Sequence, residues 1–222
     1  MFYSVVKSGR WVAPHIEYDK VDWTSFDAIV DAFQARLEGW YVQPTDALEK
    51  ASGHFAFPIM ALNCVLIDTL AQFARGSGKA NFVAFVSDRI PEFRASMPSP
   101  IRHWDESVRA KNLQYVTLTT FADALYAGFR CGILHEAHVA AYGMVRGGPL
   151  VQQFPSGYTE YEDGSSCPTV AINPWQLLAR VKLVLDAYIK QLKDRDPANN
   201  DLRTRFKTKF TESFGVDIMG VV

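Results

Sequence analysis

From Phe57 to Gly76 the chain reads FPIMALNCVLIDTLAQFARG, apolar on most faces at helical spacing, with Pro58 near its start and Gly76-Ser77-Gly78 at its end. Proline is tolerated in a first helical turn and glycine stops a helix just past its last residue. These residues therefore form one long helix. The same stretch carries Asn63 and Asp68, side chains that are costly and rare at mid-membrane depth. A helix apolar all round, with two polar anchors, belongs at the centre of a globular fold where neighbours cover every face.

The rest of the sequence supplies those neighbours. Thr24 or Ser25 caps a helix in which Phe26, Ile29, Val30, Phe33, Leu37 and Trp40 recur at helical spacing. Asn81 to Phe93 gives a short helix, and MPSPIRHW then breaks the chain, so that 94–112 reads as loop and short turns. Thr119 or Thr120 caps a helix over 119–142 whose stripe Phe121, Leu125, Phe129, Ile133 and Ala137 faces the core. From Gly147 to Pro174 two β-prone runs flank Asp163-Gly164, which predicts a hairpin. Pro174 opens a last long helix, and Leu202, Phe206, Phe210 and Phe214 put a docked helix in the tail, 199–222. Residues 1–23, with Val5, Val6 and a break at Pro14, form an irregular lead-in. The expectation is a single domain over 1–222, mainly α: an up-and-down helical bundle with a small β-hairpin at 147–174 inserted before the last long helix.

Charge narrows the function classes. Lys and Arg total 23 against 24 Asp and Glu, a formal net charge of −1, so no basic field covers the whole molecule and any polyanion site is local. Cys64, Cys131 and Cys167 are too few for a disulfide framework, and the N-terminus turns polar at Lys7-Ser8-Gly9-Arg10 before a signal-peptide core can form. A cytoplasmic setting with no membrane partner is expected.

The chemistry concentrates in Phe129-Arg130-Cys131-Gly132-Ile133-Leu134-His135-Glu136. At roughly 100° per residue, Arg130 and His135 flank the face opposite the core stripe. Small and moderately apolar residues between them, including Ala124, Ala127, Cys131 and His138, let another helix approach closely, and a symmetry-related copy of 119–142 is a natural occupant. Arg130 would then meet the partner's His135 across a two-fold seam, giving a cationic cleft suited to a phosphodiester. Histidine moves protons near neutral pH, and a planar guanidinium can hold two phosphate oxygens as charge builds on phosphorus. That chemistry needs no metal and no cofactor.

Arg130 and His135 form R-x4-H, and FRCGILHE late in a helical bundle, preceded by ALNCVLIDTLAQF, resembles the HEPN superfamily and its R-x4-6-H ribonucleases. The likeness covers roughly residues 50 to 195 by element order. It implies an α-helical domain that dimerises through the motif helices, and a metal-independent endoribonuclease used as a toxin or antiviral effector, with RNA as substrate and an antitoxin or other protein as partner. On that resemblance Arg130 and His135 are the catalytic pair, with Asp68, Glu136, Cys131 and His138 in supporting or orienting roles. Cys131 departs from the toxin-type members, which often carry a polar Asn, Asp or His at that place.

Other readings stand beside it. Arg130 and His135 can be a surface Arg paired with a carboxylate and a hydrogen-bonded interface His, in a non-catalytic HEPN-type dimer that binds proteins or nucleotides. Cys131, His135 and His138, at i, i+4 and i+7, share a helix face compatible with zinc, and Cys131 with His135 can make a thiolate dyad. Asp68 meets either Arg130 or internal donors that fix helix register. From Arg180 to Lys209 nine Lys and Arg face four Asp, either an RNA track or the solvated face of a docked helix. His15, His54 and His103 read as structural.

Overall fold

A computed structural model describes residues 11–104 and 115–222. The chain opens with a two-stranded ribbon, β1 (Trp11–Ala13) and β2 (Ile16–Glu17); Val5 and Val6 of the expected lead-in lie outside the described residues. Ser25 caps α1 (Phe26–Leu37), its Oγ accepting from the Ala28 amide, and Phe26, Ile29, Val30, Phe33 and Leu37 point into the core. The helix widens into a π-helical turn at Glu38–Val42 and continues as α2 (Gln43–Lys50).

The central apolar stretch is α3 (Ala56–Arg75), ended by Gly76 at φ 96°. It is long and apolar enough to cross a membrane, yet half of its apolar window is buried inside the fold. Asn63 is buried, and its Nδ2 donates to the Pro174 carbonyl at 2.8 Å, which fixes α3 against the last long helix. Next come α4 (Lys79–Arg89) and the single turn α5 (Pro91–Arg94).

Here the expected architecture is corrected. The chain is mixed α/β, with three sheets among the described residues, rather than a mainly helical bundle carrying one hairpin. The segment expected as loop, 94–112, contains β3 (Ser96–Trp104), which pairs antiparallel with β4 (Tyr115–Thr120); the part of that segment from 105 to 112 lies outside the described residues. Pro98 and Pro100 suggest a break, but within this sheet β3 pairs only with β4, and the register shifts between Ser96 and Ile101. Both prolines therefore fall where no ladder bond is asked of them, as edge strands and bulges allow.

Thr120 caps the next helix with a reciprocal box: its Oγ1 accepts from the Asp123 amide at 3.1 Å while the Asp123 carboxylate accepts from the Thr120 amide at 3.3 Å. One α turn, α6 (Phe121–Ala124), passes directly into a π helix, Leu125–Glu136, ended by Ala137 in the left-handed region at φ 56°. The helix thus stops before the expected 142. Residues 137–142 fold back on it instead, and the chain enters β5 (Gly143–Val145), β6 (Val151–Glu160) and β7 (Ser166–Ile172). The two strands of the expected hairpin do pair antiparallel, but β5 joins β7 in parallel, so they belong to a three-stranded sheet ordered β5-β7-β6.

Asn173 caps α7 (Pro174–Lys193), its side chain accepting from the Trp175 and Gln176 amides, and α8 (Asn200–Phe214) follows. The aromatic side chains of Phe26, Phe33, Phe73, Phe206 and Phe210 interlock where α1, α3 and α8 meet. The helices thus pack around α3, and the two larger sheets flank the π helix.

Candidate functional site

The π helix changes the geometry of the R-x4-H pair. In an α helix residues four apart stack, and residues five apart diverge; in a π helix, with its i→i+5 hydrogen bonds, residues five apart stack. The Ala137 amide indeed donates to the Gly132 carbonyl, five residues back. Arg130 and His135 consequently lie on one side of the same helix, with Arg130 Nη1 3.3 Å from His135 Nε2. The contact lies within one chain, whereas the sequence suggested a pairing of Arg130 with a partner's His135 across a two-fold seam. A guanidinium can donate but not accept, so this contact is a hydrogen bond only while Nε2 carries a lone pair and Nδ1 the proton.

Asp68 holds the arginine from α3. Arg130 Nε donates to Oδ1 at 3.1 Å and Nη2 to Oδ2 at 3.0 Å, and both side chains are largely buried. Gln72 Nε2 adds a bond to Oδ2 at 2.7 Å. Burial opposes the charge on Arg130, but the hydrogen bonds and charge of Asp68, aided by Cys131, outweigh it and hold the guanidinium pKa above its ordinary value. Of the two sequence readings of Asp68, the structure selects the cation partner. This has a cost for the site: the Nε/Nη2 edge is occupied, and Nη1 is the nitrogen left facing His135 and Cys131. The guanidinium therefore cannot grip two phosphate oxygens with that fork as expected.

Asp68→Ala strands this buried guanidinium. The expected loss is about 2–3 kcal/mol, the range for removing the partner of a charged hydrogen bond, measured as a lower denaturation midpoint in urea with an unchanged slope. A loss under about 0.5 kcal/mol would show that the pair does not hold α3 to the π helix.

The supporting residues divide. Cys131 is half-buried beside Arg130, its Sγ 4.0 Å from Nη1. Glu136 and His138 are both exposed and face each other at 2.8 Å, a contact that does not reach the arginine. His138 lies beyond the end of the helix, and its Nδ1 is 2.8 Å from the Val139 carbonyl. Among the described residues no three metal-ligating side chains are gathered closely enough to hold a metal ion, although Cys131, His135 and His138 line one cavity.

Of the small face expected to admit a partner helix, Ala124 and Ala127 are buried within the chain and His138 is exposed. The His138 amide donates to the Gly132 carbonyl and the Ala140 amide to the Gly128 carbonyl at 2.8 Å. A Cβ on Gly132 would sit 2.5 Å from the His138 carbonyl oxygen, and one on Gly128 would strike the Tyr142 ring. Both glycines are needed for this close return.

The return closes one side of a cavity of about 730 Å³, into which His135 and Cys131 face. Sequence reasoning missed its aromatic wall. Tyr126, one α turn before Arg130, has the guanidinium 5.5 Å above its ring. Tyr142 is buried and lies 3.2 Å by its hydroxyl from His103 Nδ1, so His103 has a partner the sequence did not show. Tyr161 comes from the turn after β6, with Arg102 4.0 Å over its ring. Burial pushes all three phenols up. Only Tyr126, at i, i+4 from Arg130, carried a local signal.

No family model, curated protein or solved structure matches this chain.

Proposed function

We propose that the protein is a metal-independent endoribonuclease of HEPN type, acting on cytoplasmic RNA as a toxin or antiviral effector. The observation that carries this reading is the 3.3 Å contact between Arg130 and His135 beside the cavity. With the proton on Nδ1, His135 Nε2 carries one lone pair, which turns away from Arg130 Nη1 to accept the proton of a ribose 2′-hydroxyl. The freed 2′-oxygen attacks phosphorus, the bond to the 5′-oxygen breaks, and that oxygen takes up a proton. The products are a 2′,3′-cyclic phosphate and a 5′-hydroxyl. Once protonated, His135 no longer accepts from Arg130, and Nη1 turns to the charge growing on the phosphate oxygens. Asp68 keeps the guanidinium in place throughout. A homodimer through 119–142 would duplicate this site rather than complete it, and an antitoxin or other partner protein would act by covering it.

A second reading is favoured by the Asp68 contact, which already spends one edge of the arginine: a non-catalytic module that binds a nucleotide at the same place. One experiment separates the two. In EDTA, the protein is expected to cut an RNA oligonucleotide at defined sites, and a single 2′-deoxy substitution at such a site is expected to abolish that cut alone. Equal cutting of the deoxy substrate would rule out 2′-hydroxyl attack, and no cutting of varied RNAs would leave the binding module.

A further inference from the structure

Resting on that reading, which takes single-stranded or loop RNA as the substrate, we propose that the cavity beside Arg130 and His135 takes an unpaired nucleobase next to the scissile phosphate. His135 is shared between the pair and the cavity. A phosphate held at Arg130 Nη1 therefore sets its flanking nucleoside at the cavity mouth. The volume of about 730 Å³ lies within the range of small-molecule sites, and the wall is built from Tyr126, Tyr142, Tyr161 and His103. Sequence-tolerant binding of single strands uses such rings, because every base has a π face to stack.

The rings are fixed before any ligand arrives. Tyr161 accepts from the Arg102 amide at 3.0 Å and lies under the Arg102 guanidinium, which Asp163 holds at 2.8 Å. Tyr142 and His103 meet edge to face with ring centres 5.7 Å apart. Tyr126 packs edge to face on Phe82 at 5.2 Å. A site held this way loses little side-chain freedom on binding. A base paired in a duplex cannot enter unless it is splayed out, and the energy of unpairing it falls on the complex. Lys79 also lines the cavity and supplies a cation for a neighbouring phosphate.

The test separates binding from cutting. Fluorescein-labelled 2′-O-methyl RNA decamers, which lack the attacking hydroxyl, are titrated with the full chain in EDTA, as single strands and as duplexes. The single strand is expected to bind at least about tenfold tighter than the duplex. Tyr161→Ala is expected to weaken single-strand binding about tenfold, the effect of losing one stacked base, while Tyr161→Phe stays within about twofold. Ala141→Trp, which fills the mouth from an exposed position, serves as the second variant and is expected to weaken binding likewise. Equal affinity for duplex and single strand, or unaltered binding by both Tyr161→Ala and Ala141→Trp, overturns the proposal even when RNA is cleaved. Tight single-strand binding that these variants lose, with no cleavage of any RNA, keeps the base site and removes the nuclease reading.

Discussion

On the proposed ribonuclease reading, His135→Ala is expected to lower RNA cleavage by about 100-fold or more, the span by which a positioned proton-transfer group accelerates a reaction. The side chain is exposed and lies 3.3 Å from Arg130 Nη1, so its removal deletes the base without opening a cavity. Stability is expected to change by no more than about 0.5 kcal/mol, as for other surface substitutions, which ties the lost rate to chemistry. Arg130 calls for a different substitution: Ala would leave the largely buried Asp68 without its cation, whereas Arg130→Lys keeps a charge facing Asp68 and loses the planar fork. Initial rates on one RNA in EDTA provide the measurement. A His135→Ala rate within threefold of wild type would remove His135 from the mechanism.

Phe206→Ala costs about 3–5 kcal/mol, the range for emptying a large aromatic site in a core. Phe206 is fully buried and its ring lies 5.2 to 5.8 Å from those of Phe26, Phe33, Phe73 and Phe210. Those rings come from α1, α3 and α8, so no one helix can collapse to fill the void. For a chain of this length the loss corresponds to a melting temperature lower by roughly 6–20 °C. Leu183→Ala, at a position 61% exposed on α7, is the control and stays within about 0.5 kcal/mol. A Phe206→Ala protein that melted with the wild type would mean that α8 does not hold α1 to α3.

The long helices were legible because burial imposed its period on them. Phe26, Ile29, Val30 and Phe33, and then the apolar stretch of α3 with Asn63 and Asp68 as its polar exceptions, announce their faces in sequence. The runs that become β6 and β7 were legible as well, but β3 and β5 were not, for local reasons. Pro98 and Pro100 disguise β3, because a proline at a bulge looks the same in sequence as one in a loop. β5 is three residues long and finds its partner β7 more than twenty residues later, across the β6 strand, so nothing nearby in sequence announces it.

The site shows the same division. Arg130, His135 and the charge on Asp68 could be singled out from residue type and spacing, but their arrangement could not. An angular step suited to an α helix places Arg130 and His135 on opposite flanks, whereas the π helix stacks them. No single residue in LYAGFRCGILHE marks that change of winding. Gly128 and Gly132 carried no signal in sequence, and they admit the chain's own close return at 138–142. The aromatic wall is assembled from elements up to nearly sixty residues apart, Arg102 meeting Tyr161 for example, beyond the reach of any local pattern.

On the proposed reading one chain supplies both halves of the reactive pair, and mixing two variants, each expected to be impaired, tests this most directly. His135→Ala and Arg130→Lys are combined in equal amounts, allowed to exchange subunits, and assayed on the same RNA in EDTA. A pair built within each chain predicts that the mixture stays as inactive as either variant alone. Recovery of cleavage in the mixture would show that Arg130 of one chain works with His135 of another, and would contradict the intrachain site.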